Sequence, residues 1–266
     1  SDGVINKIIN GGTDWVYEEE FALPNGMYWS PDSKKIAFYR FDESLVKEYQ
    51  MTMYNTGLYP EPSVFKYPKA GEKNSIVTIH IYDVATKQTI PVNVGTETDQ
   101  YIPRVQWTKD PNVVSFIRMN RLQNKQELLL ANAKDGSSMA IVTETSTTYM
   151  EVCDNLTFLV DKKTFMWSND QDGRTHLYHY CIDGTLIRQI TKGWWDVITF
   201  YGYDEKSKTI FYSSNEGSPY TRSSFSIKLD GTSKKKLTPK VGTNVMTFST
   251  GMKYFLNYYS TANSPN

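Results

Sequence analysis

Three consecutive acidic residues, Glu18, Glu19 and Glu20, are the side chains in this 266-residue sequence whose type and spacing most directly suggest chemistry. Carboxylates that point toward one place repel each other, and a cation between them relieves that repulsion. The run therefore indicates either a site for a cationic group or, as is more usual, a solvated helix start. Adjacent residues on a regular helix point about 100° apart. Two of these carboxylates can share one ligand only if it lies between their directions or the helix is irregular.

The glutamates lie in a short segment that carries its own start and stop signals. Gly11 and Gly12 precede the segment and Pro-Asn-Gly at 24–26 follows it, and these residue types interrupt regular structure. Asp14 can cap a helix N-terminus, and acids early in a helix interact favourably with its macrodipole. We therefore predict a helix of about two turns over residues 15–23, or 14–23 with its cap.

The composition of the whole chain limits both its fold and its partners. The 29 basic and 29 acidic residues balance, so no net field attracts nucleic acid or an anionic membrane, and no nucleic-acid partner is expected. The 19 Tyr, 12 Phe and 6 Trp residues favour β-strands. No apolar run approaches the ~20 residues of a membrane-spanning helix.

Two kinds of β-hairpin alternate along the sequence. In the first kind an aromatic strand, a polar turn and an apolar strand follow one another, at 27–39, 105–117, 157–167, 199–212 and 245–256. In the second kind two alternating strands flank a turn with an aspartate, at 77–92, 127–142, 175–190 and 223–237. Three of these turns contain Asp-Gly, which is a strong short-range hairpin signal.

Two hairpins in each period of about 50 residues correspond to four strands, which is the content of a β-propeller blade. A β-sandwich would also have many short strands, but not a regular four-strand period. The predicted fold is therefore all-β, a β-propeller of four-stranded antiparallel blades. The sequence accounts for about four to five blades, so we expect residues 1–266 to form a truncated part of a larger ring.

An insertion between the first two aromatic hairpins interrupts this period. Residues 41–75 form a predicted extended arm that is rich in aromatic residues and in prolines. The arm could be a long surface loop without a function, or a protein interface, because long loops in compact domains are usually functional. Exposed aromatic side chains favour the interface.

Other candidate sites in the sequence are weak. His80, His176 and His179 lie in predicted strands, and His176 and His179 would face opposite sides of theirs. Cys181 would share a face with His179, but two ligands without nearby acids do not define a metal site. The two cysteines, Cys153 and Cys181, could pair, although two free thiols are the simpler interpretation. No metal site and no cofactor are expected, and no Gly-x-Ser-x-Gly elbow supplies a nucleophile.

Two motifs resemble one known family. Residues 14–20, Asp-Trp-Val-Tyr-Glu-Glu-Glu, resemble the double-glutamate helix of the dipeptidyl peptidase IV family, whose members are serine peptidases of the prolyl oligopeptidase type. In that family the helix belongs to the N-terminal β-propeller domain. Residues 67–71, Tyr-Pro-Lys-Ala-Gly, resemble a second signature of that family. Trp-Ser-Pro-Asp at 29–32 is also shared, although it occurs in many propellers. The similarity extends along the chain, with lower specificity after residue 100.

The resemblance implies an eight-bladed propeller that is capped by a C-terminal α/β-hydrolase domain. The enzyme formed by the two domains would release dipeptides from peptide N-termini, with a preference for Pro or Ala in the second position. Glu19 and Glu20 would bind the free α-amine of the peptide, whereas Glu18 would not. The arm, near Tyr49 and Tyr67, would contribute to a homodimer interface. The chain itself supplies no catalytic residue, because the Ser/Asp/His triad belongs to the hydrolase domain, and alone it should be inactive.

Other functions stay open at this stage. The chain could come from an inactive relative whose propeller binds proteins, or from a related tripeptidyl peptidase, although the motif at 14–20 favours a dipeptidyl peptidase. A substrate-binding arginine of the family would precede Ser1. The stretch 149–155, where the family has aromatic and basic residues, contains Glu151, Asp154 and Asn155, so no site is transferred there. The resemblance implies an exported protein, periplasmic or at the cell surface if bacterial.

Overall fold

The computed structural model describes residues 1–55 and 57–265, and its described part is almost entirely β-structure. Thr56, in the predicted arm, and Asn266, at the end of the predicted propeller fragment, lie outside the described residues. The chain divides into two compact units, Ser1–Val152 and Cys153–Asn266. No helix in the described part has the length and apolar character needed to cross a bilayer.

The first unit contains eleven strands and a helix within its described residues. They are β1 (Ile8–Asn10), α1 (Trp15–Glu20), β2 (Met27–Trp29), β3 (Lys35–Asp42), β4 (Glu48–Met53), β5 (Glu61–Lys66), β6 (Ile76–Asp83), β7 (Thr89–Pro91), β8 (Gln100–Trp107), β9 (Val113–Asn120), β10 (Lys125–Asn132) and β11 (Ser138–Thr145). Strands β1, β3, β6 and β7 form one antiparallel sheet, and β2 also pairs with β3. A second sheet has the order β11-β10-β9-β8.

The core of the first unit comes from the alternating strands of its two sheets. In β3, Ala37, Tyr39 and Phe41 are fully buried while their neighbours are half-buried, as expected when side chains alternate across a sheet. They belong to one hydrophobic cluster with Ile79 of β6 and Phe116 of β9. Tyr17 and Phe21, in and directly after helix α1, belong to the same cluster, so the helix is attached to the core of these two sheets.

The second unit repeats the four-strand arrangement. Its strands are β12 (Thr157–Phe158), β13 (Thr164–Asn169), β14 (His176–Cys181), β15 (Leu186–Gln189), β16 (Val197–Asp204), β17 (Thr209–Ser214), β18 (Ser223–Lys228), β19 (Lys235–Lys236), β20 (Thr243–Phe248) and β21 (Phe255–Ser260). Strands β12–β15 form one sheet in chain order, β16–β19 form a second, and β20 pairs with β21. The predicted all-β fold of four-stranded antiparallel blades is therefore confirmed.

The turns of the aspartate-containing hairpins have the left-handed backbone conformation that their Asp-Gly pairs predict. The glycines of the three Asp-Gly pairs, Gly136, Gly184 and Gly231, have φ of 73°, 88° and 79°, a conformation that glycine adopts at little cost. In the first blade the corresponding turn follows Asp83, and Lys87 adopts φ 60° there instead. At Gly136 a Cβ atom would lie 2.0 Å from the Pro91 carbonyl oxygen, so close packing also requires glycine at that position.

The predicted arm is a β-hairpin rather than an unpaired extended segment. Strands β4 and β5 are antiparallel, with Glu48 opposite Lys66 and Met53 opposite Glu61, and they form a separate two-stranded sheet. Nearly all of their residues are exposed, so the alternation that marks a half-buried strand is missing. Pro62 lies within β5, which a strand tolerates at an edge.

The histidines and cysteines occupy the predicted strands and loops. His80 lies in β6, and both His176 and His179 lie in β14 and are buried. Cys153 and Cys181 are free thiols, which agrees with the simpler of the two interpretations of the sequence. The His176 ring meets Trp195 edge to face at 4.9 Å and has Thr191 and the Gly193 carbonyl within hydrogen-bond distance, so it packs within its own blade.

Candidate functional site

Helix α1 lies in an excursion that interrupts one edge strand of the first sheet. Strands β1 and β2 both pair with β3, with Asn10 opposite Arg40 and Met27 opposite Phe38. Between these pairs, the Gly11 amide donates to the carbonyl of Tyr39, and the Tyr39 amide donates to the carbonyl of Gly26, both at 2.9 Å. Strands β1 and β2 thus behave as one edge strand, and residues 12–25 leave it and return to the same place.

The N-terminus of helix α1 is capped by a buried aspartate. Asp14 Oδ1 accepts a hydrogen bond from the Tyr17 amide at 3.0 Å, and its Oδ2 accepts one from Ser75 Oγ at 2.6 Å. Burial raises the pKa of the Asp14 carboxyl, and the hydrogen bonds from Ser75 and Tyr17 partly oppose that shift. The predicted cap is therefore confirmed, and its second partner is a residue just before β6.

A tyrosine on the buried face of the helix supplies a hydrogen-bond partner to a backbone group at an irregularity in strand β8. The pairing of β8 with β9 shifts between Tyr101 and Arg104, which removes Ile102 from the ladder. The Ile102 amide donates to the Tyr17 hydroxyl at 2.7 Å, and the Tyr39 hydroxyl donates to the Ile102 carbonyl at 2.8 Å. Buried backbone groups need such partners, so these two tyrosines attach the helix and β3 to the second sheet.

The helix ends at Glu20, three residues earlier than the predicted residue 23. Phe21 is the C-cap, Ala22 adopts the left-handed conformation with φ 49°, and the Leu23 amide donates to the Tyr17 carbonyl at 3.0 Å. Phe21 and Leu23 are both buried, so the chain turns inward where a continued helix would leave them on different faces. Arg104 Nη1 donates to the Phe21 carbonyl at 2.8 Å, and this cation suits a helix C-terminus.

The three glutamates project away from this buried face. Glu18, Glu19 and Glu20 are exposed, whereas Val16 and Tyr17 are buried. Within the part of the chain that the structure describes, no residue donates a hydrogen bond or forms a salt bridge to Glu19 or Glu20. These two residues are the last of the helix, where the macrodipole disfavours negative charge. Their position therefore costs stability, and it leaves both carboxylates available to a ligand.

One neighbour of the glutamates comes from the stretch 149–155. Burial and the negative charges of Glu151 and Glu20 raise the pKa of the Tyr149 hydroxyl, while a hydrogen bond from Gln123 opposes the shift. Gln123 Nε2 lies 3.4 Å from that hydroxyl. This stretch contributes no predicted site residue, and the negative charge of Glu151 gives the surroundings of Tyr149 and Glu20 an acidic rather than a basic character.

The supports of the helix were not identified from the sequence. Ser75, Ile102 and Arg104 are far from the helix along the chain, and no motif in the sequence relates them to it. Within residues 1–55 and 57–265, no group of three or more His, Cys, Asp or Glu side chains is arranged to hold a metal ion. The helix α1 therefore presents exposed carboxylates on one side while its other side is buried and hydrogen-bonded, and exposed carboxylates of this kind can bind a small cation.

Four-stranded antiparallel blades, with an acidic helix inserted in an edge strand of the first, define the class as a β-propeller. The whole chain, residues 1–266, matches the family described as the dipeptidyl peptidase IV (DPP IV) N-terminal region. The chain belongs to this family, and the resemblance seen in its motifs is confirmed.

Several relatives show how much of a longer protein this chain resembles. The crystal structure of Porphyromonas gingivalis dipeptidyl peptidase 4 is 42% identical, with a TM-score of 0.92 over 100% of this chain and 38% of that one. Dipeptidyl peptidase 4 of Arthroderma otae is 31% identical over 96% of this chain and 35% of its own length. The inactive dipeptidyl peptidase 10 of Mus musculus is 29% identical over 87% of this chain and 31% of its own length. The chain thus spans about a third of these relatives.

Proposed function

We propose that this chain is the substrate-anchoring and gating propeller region of a dipeptidyl aminopeptidase, and that Glu19 and Glu20 bind the free α-amine of the peptide. The observation that carries the proposal is the exposed glutamate pair at the end of a helix with a buried base. The family membership supports a parent hydrolase. Its peptide substrates, and the chemical step in a C-terminal hydrolase domain, belong to the proposal.

The charge of the ligand makes the pair selective for a free N-terminus. An α-amine has an ordinary pKa of about 7.7–8.0, so much of it is cationic at neutral pH. At 4 Å and an effective dielectric constant of 20, each carboxylate–ammonium pair has a Coulomb energy of about 4 kcal/mol before desolvation costs. The ammonium offers three N–H donors, so two carboxylates can accept two or three charge-assisted hydrogen bonds.

Anchoring the amine would determine which peptide bond is cleaved. A peptide held at its N-terminus presents the bond after its second residue at a fixed distance from the anchor, and such positioning lowers the barrier of the chemical step. A preference for Pro or Ala in the second position would then depend on a pocket between the anchor and the nucleophile. Glu19 and Glu20 would act by binding and orienting the substrate.

Single substitutions in the full-length parent enzyme test the glutamate assignment. Glu19→Gln and Glu20→Gln keep the size of the side chain and remove one charge each, and each should lower kcat/KM for a free-amine Xaa-Pro substrate by about tenfold to a hundredfold. Glu18→Gln is the matched control, because it removes a charge from the same helix but should leave kcat/KM within about twofold. Equal effects at the three positions would contradict the assignment.

A second candidate function is a protein-binding propeller without catalysis. It is favoured by the similarity to the mouse protein that is named an inactive dipeptidyl peptidase. The parent sequence distinguishes the two: a Gly-x-Ser-x-Gly elbow with a following Asp and His supports the peptidase, whereas loss of that serine supports the binding protein. A related tripeptidyl peptidase would be recognised by release of tripeptides from the same substrates.

The β4–β5 hairpin is the proposed homodimer contact of the full-length protein. Tyr54, Leu58 and Tyr59, near its tip, are 81%, 99% and 84% exposed, and large exposed apolar side chains favour a protein interface. Leu58→Asp should shift the full-length protein toward the monomer in analytical ultracentrifugation. Leu122→Asp, at a 74% exposed position of the first unit, is the control. Export of the protein remains a prediction that fractionation of the source cells can test.

A further inference from the structure

Helix α1 contacts the base of the hairpin through one aromatic pair. The rings of Trp15, the first helical residue, and Tyr67, directly after β5, meet edge to face with centroids 4.4 Å apart and planes at 69°. Both side chains are half-buried. Edge-to-face rings at this distance attract each other and restrict each other's orientation. A movement of Tyr67 would therefore displace Trp15 and with it the start of the helix.

Tyr67 is itself fixed to the hairpin. Its ring lies 5.4 Å from that of Tyr49 in β4 and 6.3 Å from that of Phe65 in β5, and these two rings lie 5.9 Å apart. The Tyr67 amide also donates to the Lys47 carbonyl at 3.0 Å. Tyr67 therefore moves with the hairpin rather than with the helix.

A second contact joins the same two parts of the chain. Ser75, on the segment that returns from the hairpin to β6, donates its hydroxyl to Asp14, the helix cap, at 2.6 Å. Thus both Asp14 and Trp15, at the N-terminus of the helix, are held by residues that flank the hairpin. A six-residue helix is only about 9 Å long, so a tilt at this end displaces Glu19 and Glu20 at the other.

We propose that Tyr67 is a positioning residue, through which the hairpin sets the orientation of the glutamate pair and hence the affinity for an N-terminal amine. The inference rests on the proposed function of Glu19 and Glu20. It adds that the hairpin acts on the site through the contact between Tyr67 and Trp15, supported by Ser75. Tyr67 does not touch the substrate, and its effect is transmitted through the helix.

The kinetic test uses the full-length parent peptidase and a free-amine Xaa-Pro chromogenic substrate. Tyr67→Ala should raise KM by about tenfold or more while kcat changes by less than about threefold, because substrate binding is weakened more than the chemical step. Tyr67→Phe keeps the ring and should retain wild-type KM. Tyr220→Ala, at a 90% exposed position of the second unit, should leave both parameters unchanged.

Hydrogen exchange separates this inference from the proposed function and from a general loss of stability. In Tyr67→Ala, or in Tyr67→Leu if the alanine variant folds poorly, the amides of residues 15–21 should exchange faster while those of β9 and β10 do not. If Glu19→Gln and Glu20→Gln are without effect but this exchange is faster, the proposed function fails and the coupling stands. The inference would be overturned if Tyr67→Ala left hydrogen exchange in α1 unchanged. It would also be overturned if Tyr67→Ala left KM unchanged while Glu19→Gln and Glu20→Gln impaired the enzyme.

Discussion

The amide of Gly26 donates a hydrogen bond to the carbonyl oxygen of Gly11 at 3.2 Å, so the glutamate-bearing excursion begins and ends at one point of the sheet. Both glycines also bond to Tyr39 of β3. The helix therefore projects from a closed base rather than from a flexible loop. This closure explains how a helix of only six residues, too short to be stable alone, can hold charged groups in a fixed place.

Gly26→Ala should open this base. A Cβ atom at Gly26 would lie 2.6 Å from the Gly12 carbonyl oxygen, a distance that requires the two ends to move apart. We expect a loss of about 1–3 kcal/mol in the free energy of unfolding, measured by urea denaturation. Gly12→Ala is the control, because its Cβ would meet only Ile9 Cγ2 at 3.2 Å. Equal stability of the two variants would show that the closure is unimportant.

Tyr17→Phe should loosen the helix from the second sheet. The substitution removes the acceptor of the Ile102 amide, which has no place in the β8–β9 ladder. A buried donor without a partner costs about 1–3 kcal/mol, and that loss should appear in the free energy of unfolding. Tyr59→Phe, at an exposed position, should change it by less than about 0.5 kcal/mol. A neutral Tyr17→Phe would mean that the bond contributes nothing net.

The Asp14 cap should make stability depend on pH in a defined direction. Burial raises the pKa of this carboxyl above its usual 3.8, so the folded state binds the proton more tightly than the unfolded state does. The resulting stabilisation is present below pH 3.8 and is lost as the pH rises through the folded pKa. Asp14→Asn keeps a capping oxygen without a charge.

Compared with the wild type, Asp14→Asn should therefore gain stability as the pH rises from about 3 to 7. Denaturation curves of both proteins across this range measure the difference directly. Asp14→Ala also removes the capping oxygen, so it should be less stable than Asp14→Asn by about 0.5–2 kcal/mol at every pH. A difference between Asp14→Asn and the wild type that does not vary with pH would contradict a raised Asp14 pKa.

Asp196, in the second unit, should show the opposite pH dependence. Its desolvation is outweighed by hydrogen bonds from the Thr175 amide and Asn215 and by the Arg174 charge, which together lower its pKa below 3.8. The contacts measure 3.1, 3.1 and 3.2 Å. The stabilisation is therefore present above pH 3.8 and is lost as the pH falls through the lowered value.

Asp196→Asn should thus be less stable than the wild type by about 1–2 kcal/mol at neutral pH. The two stabilities should approach each other as the pH falls below 3.8 toward the lowered pKa of the folded wild type, at which its carboxylate becomes protonated. Thermal unfolding at pH 7 and pH 3 measures both values. Asp170→Asn, which also removes one negative charge at an exposed position of the same unit, controls for net charge. A constant difference at both pH values would show that the carboxylate charge is not responsible.

The hairpins were predictable from the sequence because their signals are local. Asp-Gly turns and alternating apolar residues lie within a few positions of each other, and the helix cap at Asp14 depends on residues of the same turn. The end of the helix was predicted too late, at residue 23 instead of Glu20. Burial of Phe21 and Leu23 decides that end, and burial depends on the distant strand β8 and on the sheet to which it belongs.

The supports of the glutamate pair could not be predicted for a similar reason. The acceptor for the Ile102 amide comes from Tyr17, and the partner of Asp14 comes from Ser75, and both contacts join residues far apart in the sequence. The pairing of β4 with β5 was also missed, because strands exposed on both faces carry no hydrophobic alternation. The acidic motif itself was visible in the sequence, but its buried, hydrogen-bonded base is a property of the fold.

The most direct test of the central claim is the ratio of kcat/KM for a free-amine Xaa-Pro peptide to that for its N-acetylated form. The full-length wild-type enzyme should strongly prefer the free amine. In the variant that carries Glu19→Gln and Glu20→Gln, this ratio should fall by about a hundredfold or more, since two charge pairs with the ammonium are lost. A ratio that stays the same in the double variant would show that Glu19 and Glu20 do not bind the N-terminus.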